Sequence, residues 1–447
     1  MNEKVIVLHP VVLQEKTGDE GSVRKCVRIP EAALEEAVGL AHAIDLVVVH
    51  AEIMRLKTVA PATLMGSGVV DRMKDVIAER EAKLVFVDYA LSPVQQRNLE
   101  KEWNCKVIDR TGLILEIFGA RARTKEGRLQ VDLAALNYQR SRLVKAWSHL
   151  ERQRGGGGFL GGPGETQVEL DRRLIDERIK KLKRDLEGVR KNRKIQRESR
   201  KREPYPVVAI VGYTNAGKST LFNRITGAEV FAKDLLFATL DTTMRGTKLP
   251  SGKKAILSDT VGFISDLPTH LVAAFRATLE EVQDAAVILH VRDVSGPNTE
   301  AEKEDVLAIL SDLGIDCVKD ERIIEVLNKT DLLPPKERAA LITRGKRQEQ
   351  VVAVSALKGD GVDQLLDMID ARLGKDQLIV HADIDLTDGK ALAWLYRRGH
   401  VIDRLDDEEH AHVKVGLEPA DMERFSAQFP YKLNKTKTKA KKKLKAS

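Results

Sequence analysis

Val207-Val-Ala-Ile-Val211 runs straight into Gly212-Tyr-Thr-Asn-Ala-Gly217-Lys218-Ser219 and then into a helical pattern beginning Thr220-Leu-Phe-Asn223. A short apolar run rich in β-branched residues is a buried strand, and the turn that follows carries glycine at both ends. Such glycines let backbone N–H groups converge on an anion, and the helix N-terminus adds favourable potential. Strand, loop and helix in this order form a phosphate loop. Gly212, Tyr213, Thr214, Asn215, Ala216, Gly217, Lys218 and Ser219 are therefore candidate nucleotide contacts, with Lys218 neutralising β/γ oxygens and Ser219 ligating magnesium. Around this stretch, from about residue 204 to 374, strand and helix patterns alternate throughout.

Three further segments complete a nucleotide site. The apolar strand Ala255–Ser258 ends at Asp259-Thr260-Val261-Gly262. A carboxylate at a strand's end holds magnesium through water, and a glycine amide meets a γ-phosphate with no side chain intervening. Ile323–Leu327 ends at Asn328-Lys329-Thr330-Asp331, and Val351–Val354 leads to Ser355-Ala356-Leu357. The Asp331 carboxylate accepts from both guanine N1–H and its exocyclic amine, a donor pair that adenine lacks. Asn328 can contact the base edge, Lys329 can cover its face, and the Ser355–Leu357 backbone can donate to guanine O6. GTP is thus expected over ATP. Between phosphate loop and Asp259 lies Phe237-Ala238-Thr239-Leu240-Asp241-Thr242-Thr243. Thr239 is the first choice for a second magnesium hydroxyl, with Thr242 and Thr243 as competitors. Phe263 stands where many regulatory GTPases carry a water-orienting glutamine, so slow hydrolysis is expected until a partner or another residue completes the site.

Working outward, residues 1–120 alternate short apolar runs with helical patterns, the rhythm of an α/β domain. Helical periodicity runs continuously from Thr111 to Arg154, with Leu129, Leu133, Leu136, Leu143 and Leu150 near heptad spacing, and again from about Glu165 to Lys201. These predict a basic helical hairpin over 121–203. Its joining loop, Arg154 to Gly164, is glycine at seven of eleven positions and fits either a flexible linker or a tip that enters a nucleic-acid cavity. Residues 375–431 read strand, helix, strand, strand, helix, a small α+β domain; 432–447 is a lysine-rich stretch expected to be disordered. The chain of 447 residues carries a net +7, but residues 121–203 carry +12 and 432–447 carry +8, leaving −13 elsewhere. Two basic regions on an otherwise acidic chain favour a polyanionic partner, nucleic acid first. Three cysteines and the absence of any long apolar span exclude a disulfide scaffold and a membrane-spanning protein, and a soluble protein of the reducing cytoplasm is expected.

At several of these segments the chain resembles the HflX family, bacterial GTPases of the translation-factor-like class. The resemblance is carried by Gly157-Gly158 through Gly161-Gly-Pro-Gly-Glu-Thr-Gln167, Gly212–Asn223, Leu236-Phe-Ala-Thr-Leu-Asp241, Asp259-Thr-Val-Gly-Phe-Ile264 and Ala274-Phe-Arg-Ala-Thr-Leu-Glu280. It implies a multidomain α/β protein with a central Ras-like P-loop domain, GTP/GDP and Mg2+ as cofactors, and magnesium on Ser219 and Thr239. It also implies binding to the large (50S) ribosomal subunit and its 23S rRNA, splitting of stalled ribosomes under stress, and residues 155–164 near the peptidyl-transferase region. Family sequences often have proline before the double threonine, where Asp241 here directly precedes Thr242. A monomer is expected. The competing classes are an ATP-driven RNA-remodelling enzyme, disfavoured by Asn328–Asp331, and a non-ribosomal regulator, for which no amphipathic anchor is found.

Overall fold

The computed structural model describes residues 3–13, 28–153, 163–200, 205–228, 236–237, 243–265, 281–317, 319–374 and 378–435. Thr239 with Ala238, Leu240 and Asp241, the loop at 154–162, the segment at 266–280 and residues 436–447 lie outside them.

The first sheet takes β1 (Lys4–Val12), β2 (Val47–Leu56), β3 (Leu84–Val87) and β4 (Lys106–Asp109) in the order β2-β1-β3-β4. All its pairings are parallel, so its strands are joined by crossover helices α1 (Pro30–His42), α2 (Ser67–Arg80) and α3 (Pro93–Trp103). The continuous helix expected from Thr111 is two helices, α4 (Arg110–Arg121) and α5 (Lys125–Gln153). Ala122 is extended, and the Thr124 hydroxyl accepts from Gly127 N–H at 3.0 Å, capping a fresh helix. Helix α6 (Pro163–Arg200) returns along α5, with Arg140 paired to Asp176 at 3.0 Å. Among the described side chains of this arm, apolar burial centres on Val131, Ala134, Ile179 and Leu186, while Leu129, Leu133, Leu136 and Leu143 are half-buried.

The second sheet holds β5 (Val207–Gly212), β6 (Thr243–Lys248), β7 (Lys254–Asp259), β8 (Val287–Asp293), β9 (Ile323–Asn328) and β10 (Val351–Ala353), in the order β10-β9-β8-β5-β7-β6. Only β6 with β7 is antiparallel. Helix α7 (Lys218–Thr226) opens at the end of the central strand β5. One face packs Phe222, Leu221 and the helix Val362–Gly374. The other face shares a single core with the first sheet, in which Val5, Leu40 and Phe118 are continuous with Val211, Phe237 and Phe263. Each such fully buried side chain contributes roughly 1.5–3 kcal/mol, so the two sheets are fastened by packing and not by a linker alone.

The third sheet is antiparallel, ordered β12-β13-β11-β14, from β11 (Leu378–Asp385), β12 (His400–Asp406), β13 (His410–Leu417) and β14 (Asn434–Lys435). The last strand corrects the expectation that everything after Tyr431 lies outside a fold: Asn434 and Lys435 pair with His381 and Val380. The edge of β11 had unpaired backbone groups to satisfy, and two residues without apolar pattern suffice for that. Among the described residues, no helix is long and apolar enough to cross a membrane.

Candidate active site

The loops at the C-terminal ends of β5, β7, β9 and β10 meet at one edge of the second sheet. Asn215 and Gly217 both take left-handed backbone, φ +57 and +88. A Cβ on Gly217 would stand 2.2 Å from Asn328 Nδ2, so only glycine fits that close approach. Lys218, the first residue of α7, is buried, and its Nζ donates to the Tyr213 carbonyl at 2.5 Å. Burial pushes this ammonium down to about 8, against the attraction of Asp259 and Glu302. A desolvated cation at a helix N-terminus is a strong receptor for a polyphosphate.

Ser219 Oγ donates to Asp259 Oδ2 at 2.7 Å, linking α7 to the end of β7. Thr260 turns inward, its hydroxyl donating to the Ile210 carbonyl at 2.6 Å, and Val261 is buried in the shared core. Both therefore offer only backbone to a ligand. Gly262 lies against the phosphate loop; a Cβ there would be 3.0 Å from Lys218 Nζ and from Thr214 Cα. The Thr214 hydroxyl is buried with no hydrogen-bond partner among the described residues. Phe263 packs its ring into the shared core, 4% exposed, and so offers an attacking water neither a polar atom nor a surface.

On the base side, Asn328 spends both ends of its amide within the protein. Its Nδ2 donates to the Ala216 carbonyl at 2.8 Å, and its Oδ1 accepts from Ala356 N–H at 3.0 Å. It joins three loops, a role beyond the base contact expected of it. Lys329, at φ +62, pairs with Asp293 at 2.7 Å, and Thr330 donates to the Val354 carbonyl at 2.9 Å. Ser355 Oγ donates to Asp331 Oδ1 at 2.6 Å, fixing the carboxylate's aim. Leu357 is 68% exposed, while Arg224 Nε holds the Ala356 carbonyl at 3.2 Å.

A second layer comes from the first sheet's helices and was not read from the sequence. The Tyr213 hydroxyl donates to Glu36 Oε2 at 2.6 Å, away from any phosphate. Arg110 reaches Asp88 at 2.5 Å and Glu36 at 2.6 Å. Phe237, left-handed at φ +56 and 2% exposed, sets its ring edge-on to Phe118 with centroids 4.7 Å apart. Tyr213–Glu36 and Phe118–Phe237 each join residues more than 100 positions apart, Arg110–Glu36 joins residues 74 apart, and no local pattern announces them.

Four family models cover the chain. Residues 31–119 match the GTP-binding GTPase N-terminal model, 121–200 the GTP-binding GTPase middle region, 207–329 a model described as 50S ribosome-binding GTPase, and 340–443 the HflX C-terminal domain. The GTPase HflX of Magnetococcus marinus is 48% identical over 395 residues, 88% of this chain and 90% of that one. The chain belongs to the HflX family. The Escherichia coli GTPase HflX is 47% identical over 314 residues, 70% of this chain and 72% of its own. A solved structure described as the SsGBP and GDP complex is 23% identical, spans 82% of this chain and 97% of its own, and has a TM-score of 0.48. As an HflX-family GTPase the chain binds guanine nucleotide and hydrolyses GTP.

Proposed function

We propose that this HflX-family GTPase is a switch that binds the large ribosomal subunit in its GTP state and splits stalled or idle ribosomes. In this reading residues 204–374 form the nucleotide unit. The single observation that carries the site is the convergence of Lys218, Ser219, Asp259 and Gly262 at the end of β5 and β7, with Asp331 aimed by Ser355 on the base side.

Lys218 neutralises the β/γ oxygens, the first turn of α7 donates its amides, and the Gly262 amide meets the γ-phosphate. The donor set fits Mg2+: a hydroxyl and a carboxylate 2.7 Å apart converge on one point, with Ser219 as direct ligand and Asp259 through water. Thr239 is the second hydroxyl by resemblance. When bound, the ion neutralises charge on the phosphates. Because Phe263 offers nothing to water, intrinsic hydrolysis is slow and a ribosomal partner completes the site. Asp331→Asn tests the base pocket: preference should pass from guanine to xanthine nucleotides, and unchanged GTP selectivity would place the pocket elsewhere.

Ribosome binding is supported by the match of residues 207–329 to a ribosome-binding GTPase model and by the +12 charge of residues 121–203. The α5/α6 arm spans on the order of 50 Å at 1.5 Å per residue, enough for its glycine-rich tip to reach the peptidyl-transferase region while the nucleotide unit stays outside. Pelleting with isolated large subunits in the presence of a non-hydrolysable GTP analogue, GDP or ATP tests the partner; no nucleotide-dependent pelleting sinks it.

A further inference from the structure

The segment after Asp259 does not lie loose beside the phosphate loop; it is hydrogen-bonded to it. Thr214 N–H donates to the Phe263 carbonyl at 2.7 Å and Phe263 N–H to the Gly212 carbonyl at 3.1 Å, a one-residue parallel bridge. The bridge presses Gly262 into the space beside the Lys218 ammonium, where a Cβ would be only 3.0 Å from Nζ. That space is where a terminal phosphate must stand if Lys218 is to reach it.

What keeps the bridge shut comes from the first sheet's helices. Ser265, two residues past Phe263, donates its N–H to the Tyr213 hydroxyl at 2.9 Å. Its carbonyl accepts from Arg110 Nε and Nη2 at 3.3 and 3.2 Å, and its hydroxyl accepts from Arg110 Nη2 at 2.8 Å. Glu36 accepts from Tyr213, Arg110 and, at 3.4 Å, the Ser265 hydroxyl. Asp88 anchors Arg110 from behind, and His9 meets Asp88 at 2.8 Å. Arg110 and Asp88 are buried and Glu36 nearly so, so these ionic contacts are little screened by solvent.

We propose that Arg110 and Glu36 latch the Gly262–Ser265 segment onto the phosphate loop and thereby discriminate against the third phosphate: the latched chain accepts a nucleoside diphosphate, and a triphosphate binds as the Tyr213–Phe263 bridge opens. This rests on the reading of Gly212–Ser219 as the phosphate site. A ligand that binds one of two states has its apparent affinity reduced by the fraction in that state, so the latch weakens triphosphate binding and leaves diphosphate binding alone. Reciprocally, a bound triphosphate loosens Ser265 from Arg110, which carries nucleotide state to the N-terminal helices.

The test is equilibrium binding of fluorescent GDP and of a fluorescent non-hydrolysable GTP analogue to the full chain with excess magnesium. Arg110→Lys and Glu36→Gln, both outside the phosphate loop, should each raise triphosphate affinity about five- to thirtyfold, with GDP affinity held within about twofold. The double variant should gain little over the larger single effect, because both act on one latch. In the wild-type chain, hydrogen exchange at Phe263–Ser265 should quicken with the triphosphate analogue relative to GDP. Equal shifts for both nucleotides, or unchanged triphosphate affinity together with unchanged exchange, would overturn the latch. GDP binding that survives Lys218→Ala would instead overturn the phosphate site, and the latch with it.

Discussion

Ser219 and Asp259 share a 2.7 Å hydrogen bond between the first turn of α7 and the last residue of β7. Two oxygens from different elements, one of them fully buried, are held on one point at the mouth of the phosphate loop. In the proposed function these two oxygens would hold magnesium, and that gives the first prediction. Ser219→Ala removes a ligand but keeps the fold, because Asp259 stays at its strand end. Magnesium-dependent GTP turnover should fall at least about tenfold, the worth of one charge-assisted contact of roughly 1.5–3 kcal/mol, while magnesium-free GDP binding changes little. Turnover and magnesium dependence equal to wild type would remove Ser219 from the site.

Lys218 gives a pH dependence. Burial holds its ammonium at about 8 in the free protein, below the ordinary lysine value. A bound polyphosphate favours the charged form, so binding at pH 8.5 must take up a proton, and affinity must fall as pH rises through about 8. Calorimetry in buffers of different ionisation enthalpy measures the uptake. Buffer-independent heats at pH 8.5 would contradict the placement of this lysine against the phosphates.

Glu302 lies beside the same site, and its carboxyl is raised to about 7 by burial first and then by Asp293 and Glu36. The folded chain holds this proton more tightly than the unfolded chain does. Its contribution to stability is therefore complete below the ordinary glutamate range and lost as pH rises through 7. Glu302→Gln, which keeps the neutral shape, should be more stable than wild type at pH 8 and should converge with it near pH 5. Thermal unfolding at both pH values reads this; an equal gap at both would mean that the carboxyl is not protonated in the fold.

The parts of this molecule written in consecutive residues were legible from the sequence. The strand at Val207, the motifs at Gly212, Asp259, Asn328 and Ser355, and the helix Pro93–Trp103 each follow from local periodicity and turn chemistry. The break at Ala122–Thr124 was missed because a threonine cap inside a helical period is a weak signal. The pairing of Asn434–Lys435 with β11 was missed because an edge strand needs only backbone. The aim of Tyr213 at Glu36, the Arg110–Ser265 contacts and the Phe118–Phe237 pair depend on how two sheets pack, and one chain read locally holds no trace of that.

The most direct test of the account joins the nucleotide site to the ribosome. Light scattering should follow intact ribosomes mixed with the full chain and with a variant shortened within residues 155–164. With a non-hydrolysable GTP analogue the full chain should split ribosomes into subunits, and with GDP it should not. The shortened variant should bind nucleotide normally, keep most charge-driven ribosome association, and fail to split. Splitting that is equally fast with GDP, or wild-type splitting by the shortened variant, would contradict a GTP-gated switch acting through the tip of its α5/α6 arm.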